Sequence, residues 1–344
     1  MKNLINSLLL CLVICFTSSC AETQARKVIL TGHLPEYKIN VSDPGDLSYL
    51  NALDRIYFFH VFPDTLGNWQ VRQGFEERLK IVKGIMRPGQ EIFLTVGGGG
   101  TPAANMQILS KDTEKVEAYA EALVNFAHQH QFDGIDMDWE TYWRVTPAQH
   151  VPKDVYIELM TKIRNKMKAL PSGTKLKGLA CCLDGNQNDS RELGAAVADL
   201  IDHINVMVYD AYGTREEGFP HAPMRMFTAA LEGFANASIP KHKLLGGVPF
   251  YGSNRSGSEV QVQGGGSYKN VYNKSLEEGK PITTDMNTWN DITFNGVDLI
   301  KEKTKYVIEN GYGGMQYWEV THDIPYSNEM SLLRAMRKTV DEAR

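Results

Sequence analysis

Asp133-Gly134-Ile135-Asp136-Met137-Asp138-Trp139-Glu140 organises the reading of this chain. Asp136, Asp138 and Glu140 stand two residues apart. Side chains at that spacing share one face of a β-strand. The three carboxylates therefore point one way, and Ile135, Met137 and Trp139 the other. Clustered like charges repel, so at least one of the acids must hold a proton near neutral pH. A carboxylic acid kept in that state is available as a general acid. A solvated acidic loop or a Ca²⁺ or Mg²⁺ site is the competing reading, and the large apolar residues between the acids speak against it.

Working outward, short apolar runs rich in β-branched and aromatic residues recur at 27–31, 55–59, 91–96, 132–138, 176–182, 204–209, 244–250 and 314–318. Each has strand length and is bounded by Gly, Pro or Asp. Amphipathic stretches with helical spacing fill 75–86, 113–131, 153–170, 224–236, 297–310 and 328–342. Strands alternating with helices predict an α/β fold, a (β/α)₈ TIM barrel over 27–344, with the acidic row at the C-terminal end of its fourth strand. An open doubly wound sheet is the alternative. It would need a phosphate-binding turn that Gly97-Gly98-Gly99-Gly100 does not spell. The connection between the seventh strand and its helix, 251–296, is far longer than the usual 2–6 residues. It lies on the face where a barrel carries its chemistry.

The N-terminus reads as an export signal at 1–20, with Lys2, an apolar stretch and the small-residue end Thr17-Ser18-Ser19-Cys20. Small residues before a cysteine resemble a bacterial lipobox. The expectation is a lipid anchor on Cys20 that holds an exported protein on a bacterial outer membrane or cell envelope. Cys181 and Cys182 are adjacent and point to opposite faces of a strand, so no structural disulfide is expected. A net charge of -5 without a basic run argues against nucleic acid as a partner. No HExxH or CxxC pair is present, so no metal is expected. His128 and His130 are expected to be solvated.

The acidic stretch resembles the DGxDxDWE signature of glycoside hydrolase family 18, the chitinases and their relatives. Thr95-Val96-Gly97-Gly98 is similar to the family's SxGG, with Thr for Ser. Met207-Val208-Tyr209-Asp210 resembles MxYD, Gly247-Val248-Pro249-Phe250-Tyr251-Gly252 resembles GxPFYG, and Gly313-Gly314-Met315-Gln316-Tyr317-Trp318 ends strand eight as the family's last motif does.

The resemblance implies a retaining hydrolase of β-1,4-linked N-acetylglucosamine polymers, in which the sugar's own acetamido group is the nucleophile. By the same resemblance Glu140 is the acid and base, Asp138 holds the acetamido N–H, Asp136 tunes Asp138, and Tyr209 donates to the acetamido oxygen. Asp210, Trp318, Met207, Gly98, Tyr37 and Tyr251 are implied sugar contacts, with Trp318 as an apolar floor. Tyr142, Trp143, Tyr212 and Trp289 sit on the same face as weaker candidates. Asp133 is expected to cap a turn.

No cofactor is implied, and a monomer is expected. An endo-β-N-acetylglucosaminidase acting on N-glycan cores is the nearest alternative. A non-catalytic chitin-binding lectin is the other, although such relatives typically lose the acid that is present here. The family often inserts a small α+β domain after strand seven. The connection looks short for a full copy, which predicts a shallow groove.

Overall fold

The computed structural model describes residues 27–140, 153–210, 221–254 and 266–344. Eight strands pair side by side and in parallel: β1 (Ile29–Pro35), β2 (Arg55–Pro63), β3 (Glu91–Gly97), β4 (Gly134–Asp138), β5 (Gly178–Asp184), β6 (His203–Met207), β7 (Leu244–Pro249) and β8 (Gly314–Trp318). β1 pairs with both β2 and β8, which closes the sheet into the expected barrel. Around it lie α1 (Phe75–Ile85), α2 (Thr101–Leu109), α3 (Thr113–Gln129), α4 (Lys153–Ala169), α5 (Asn188–Val197), α6 (Met224–Asn236), α7 (Tyr268–Glu277), α8 (Val297–Glu309) and α9 (Leu332–Glu342). Among the described residues no helix is long and apolar enough to cross a membrane.

The regular alternation of strand and helix fails once. Between β1 and β2 the chain makes only two 3₁₀ turns, Glu36–Lys38 and Ser48–Ala52. Ser42-Asp43-Pro44-Gly45-Asp46 interrupts any helical run there. In the other direction, the connection after β7 is more than a loop. It holds α7 and a small antiparallel sheet of Ser253–Asn254, Thr288–Trp289 and Ile292–Thr293. This is a reduced α+β insertion, and it uses Trp289 for its own packing. That indole is buried and donates to the Lys280 carbonyl at 3.2 Å, which removes it from the sugar-contact candidates. His130 is also not simply solvated. Its ring lies 4.2 Å from Phe126 and contacts Glu76 through Nε2.

The acidic strand shows the two-face pattern directly. Ile135, Met137 and Trp139 join the apolar layer between barrel and helices, where Trp139 stacks on Tyr156 and donates to the Ala103 carbonyl at 3.2 Å. Gly134, Asp136 and Asp138 face inward. Asp133, expected to cap a turn, instead reaches the neighbouring strand: its carboxylate accepts the Ile92 N–H at 2.9 Å at the start of β3 and lies 3.3 Å from Lys175 Nζ.

Below the acids the interior is filled by Phe93, with Tyr57 edge-on at 5.8 Å and the Arg55 guanidinium 3.9 Å over its ring. A Cβ at Gly134 or at Gly178 would run into that ring, so glycine in the DG pair makes room for Phe93. Gly134→Ala is therefore expected to destabilise the fold by about 1–3 kcal/mol through overpacking. Denaturant midpoints measure this, and an unchanged midpoint would mean that the ring has room to move.

Candidate active site

The row on β4 climbs from the barrel interior to its C-terminal mouth, and each acid meets a different environment. Asp136 is the deepest and is fully buried. It accepts from Thr95 Oγ1 on β3, Asn205 Nδ2 on β6 and His33 Nε2 on β1, each at 3.0 Å, and the Cys182 thiol on β5 lies 3.6 Å away. The Gln316 amide of β8 donates to His33 Nδ1 at 2.9 Å. An imidazole nitrogen that accepts there leaves the ring proton on Nε2, aimed at Asp136. Four strands thus converge on one carboxylate, and a fifth, β8, reaches it through His33. His33, Asp136 and Cys182 also form a group whose donor types suit a metal ion, their atoms all within 4.8 Å of one another. Each is already engaged with the others by hydrogen bonds, and that network accounts for the arrangement.

Asp138 is 4% exposed, and its Oδ1 is buried with no partner. Burial pushes its carboxyl well above the usual range, and the charges of Glu140 and Asp136 push the same way. Glu140 follows the strand. Burial first, then the charge of Asp210 and that of Asp184, raise it to about 7, against a lowering hydrogen bond from the Gly99 N–H. Gly97 and Gly98 hold φ of 102° and 109°, a left-handed backbone suited to glycine. This turn lets the Gly98 N–H donate to the Asp138 carbonyl at 2.5 Å. Gly98 therefore contributes backbone to the site.

Tyr209 follows β6. Burial raises its phenol well above its ordinary value, with the charges of Asp138 and Glu140 adding to the shift. Its ring is edge-on to Tyr251 at 6.2 Å. Asp210 has φ 56°, and its N–H donates to His221 Nε2 at 3.0 Å. Met207 lies beside Asp184 in the sheet register. Trp318 ends β8, half-buried, with Phe59 edge-on at 4.8 Å. From there an aromatic row continues through His60 to Tyr37, which is 42% exposed and lies under the Arg72 guanidinium. Cys20, Tyr142, Trp143 and Tyr212 lie outside the described residues.

The structure adds residues that the sequence reading did not single out: His33, Cys182, Asn205 and Gln316 around Asp136, Asp184 near Glu140, and His221 on Asp210. Some of this was available as signal. Cys182 and Asp184 alternate on β5 as the acids do on β4, and His33, Asn205 and Gln316 are polar residues on the inward face of apolar strands. His221 carries no comparable local signal: Asp210 lies eleven residues away on the same connection, and Tyr251 and Asn295 lie on the connection after β7.

The family model for glycosyl hydrolases family 18 matches residues 13–323. Chitinase A1 of Niallia circulans is 28% identical over 263 residues, covering 70% of this chain and 35% of that protein. Chitinase 1 of Aphanocladium album is 23% identical, covering 67% and 61%. The chain thus spans less than two thirds of the length of these relatives. Among solved structures, the chitinase from the chitin utilization locus of Flavobacterium johnsoniae superposes with a TM-score of 0.71 at 22% identity, covering 92% of this chain and 95% of that one. Ostrinia furnacalis group IV chitinase gives 0.74 at 16%, covering 92% and 100%. Those structural likenesses establish the barrel fold. The family rests on the match along most of the sequence: this chain belongs to glycosyl hydrolases family 18.

Proposed function

We propose that this chain hydrolyses β-1,4-linked N-acetylglucosamine polymers or oligomers with retention, using the substrate's acetamido oxygen as nucleophile. The observation that carries this reading is the graded row on β4. Asp136 is saturated by donors, Asp138 is raised by burial and by its acidic neighbours and keeps one vacant oxygen, and Glu140 keeps its proton up to about neutral pH. In the reaction, a sugar ring rests on the Trp318 indole. Glu140 gives its proton to the glycosidic oxygen as that bond to the anomeric carbon breaks. The acetamido oxygen closes onto the same carbon, with the Tyr209 hydroxyl donating to that oxygen beforehand and the vacant Asp138 oxygen accepting the acetamido N–H. Glu140, now a carboxylate, takes a proton from the water that opens the ring.

Product analysis on chitin oligosaccharides beside an N-glycoprotein tests the substrate class. Short oligosaccharides from the first alone are expected. Release of N-glycans alone would make the chain an endo-β-N-acetylglucosaminidase, and binding without any product would make it a lectin.

A further inference from the structure

Away from β4 lies a run of buried polar side chains with no part in the reaction as written above. Lys303 on α8 is fully buried. Burial lowers its pKa to about 7; its Nζ donates to Asn295 Oδ1 at 2.5 Å and to the Ala222 carbonyl at 2.6 Å, and lies 5.1 Å from the Phe227 ring. Asn295 in turn donates its amide to the His221 carbonyl. The His221 ring is 3.0 Å from the Asp210 N–H through Nε2 and 3.1 Å from the Tyr251 carbonyl through Nδ1. A backbone N–H only donates and a carbonyl only accepts. The ring is therefore held in one tautomer, bare at Nε2 and protonated at Nδ1.

Two features point to a positioning task. Asp210 and Ala222, one at each end of this run, have φ of 56° and 57°. Non-glycine residues keep that conformation where their surroundings hold it. A lysine buried this deeply is also costly to desolvate, and an apolar side chain would fill the same space. What the Lys303 Nζ adds is two directed bonds, to the backbone next to His221 and to the side chain that holds His221.

We propose that Lys303, Asn295 and His221 form a buried brace that positions Asp210 and Tyr251, at the ends of β6 and β7, relative to Glu140. Asn295 follows the short strand Ile292–Thr293, so the brace also ties the insertion to the barrel mouth. The sugar-binding roles of Asp210 and Tyr251 rest on the functional reading above, but the geometric role does not.

The groups that face Glu140 are Asp138 at the end of β4, Asp184 at the end of β5, Tyr209 and Asp210 after β6, and the Gly99 N–H. Of these, Asp210 is the one that His221 holds. If the brace is lost, the Asp210 carboxylate moves away from Glu140 and the acid titrates lower.

Carboxyl-carbon NMR of Glu140, assigned with Glu140→Gln, reads this without substrate. In His221→Phe, which keeps a ring without its hydrogen bonds, Glu140 should titrate lower by about half a pH unit or more. The alkaline limb of kcat/KM should move with it, and kcat should fall about ten- to a hundredfold while melting stays cooperative. His221→Gln, which restores an acceptor and a donor, should recover most of both. Lys303→Met should act in the same direction and stands in if His221→Phe does not fold. In an Asp210→Asn background, removing the His221 ring should shift Glu140 no further.

An unchanged Glu140 titration in a folded His221→Phe or Lys303→Met variant overturns the brace, as does an undiminished shift in the Asp210→Asn background. If the titration shifts as stated but the natural chain cleaves no N-acetylglucosamine oligomer, the functional reading fails and the brace stands.

Discussion

With Glu140 replaced by Gln, hydrolysis of a chitin oligosaccharide is expected to fall about 10²- to 10⁴-fold while fold and oligosaccharide binding persist. Glutamine keeps the shape of the side chain and cannot deliver a proton. The same assignment sets the pH dependence of the natural enzyme. Burial and the Asp210 and Asp184 charges raise Glu140 to about 7, so the acid is loaded below that pH and loses its proton above it. The rate should therefore decline as pH rises through about 7. Steady-state kinetics on an unactivated oligosaccharide checks both. Wild-type kcat in the variant would remove Glu140 from the role of acid. A lectin would show no rate to lose.

The second large effect concerns the substrate itself. Cellooligosaccharides share the β-1,4 backbone and carry a hydroxyl where N-acetylglucosamine carries its acetamido group. That hydroxyl cannot close a ring onto the anomeric carbon. It also leaves the vacant Asp138 oxygen and the Tyr209 hydroxyl, both buried in the site, without the partners they are set to meet. Discrimination should reach about 10⁴-fold or more, well beyond the 10–200-fold that a missing methylene causes. Asp138→Asn should slow cleavage of the proper substrate about a hundredfold, since an amide cannot give up a proton to become the carboxylate that steadies the developing positive charge. Parallel assays on the two oligomer series decide the matter. Efficient cellooligosaccharide cleavage, or a glycosyl ester trapped on a protein carboxylate, would show that a side chain of the enzyme is the nucleophile.

Much of this was legible because β4 obeys a period of two. Alternation alone places Asp136 and Asp138 inward and Ile135, Met137 and Trp139 outward, and the structure has them so. The closed barrel followed from the sequence of apolar runs. What escaped was everything set by contacts between distant segments. Asp136 draws donors from β1, β3 and β6, and no local pattern announces that His33 and Asn205 will meet it. α5 and α7 escaped because their polar residues mask a narrow buried stripe, Leu193 and Val197 in one and Tyr268 and Val271 in the other. Between β1 and β2 no helical stretch was legible, and the proline and glycine at 44 and 45 leave room only for 3₁₀ turns. Trp289 carried an aromatic signal that suits sugar stacking and core packing equally, and only its burial separates the two.

The ring of Phe93, wedged between Tyr57, Arg55 and the bare backbones of Gly134 and Gly178, acts as a stopper in the lower barrel. Among the described residues the lower end is filled, and the acidic row opens at the C-terminal ends of the strands. In the proposed reaction, water reaches the anomeric carbon along the path that the leaving sugar has vacated, and the carboxylate that released that sugar is the one waiting beside it. The acetamido ring covers the other face of that carbon, so the arriving oxygen takes the place of the departed one and the configuration is kept.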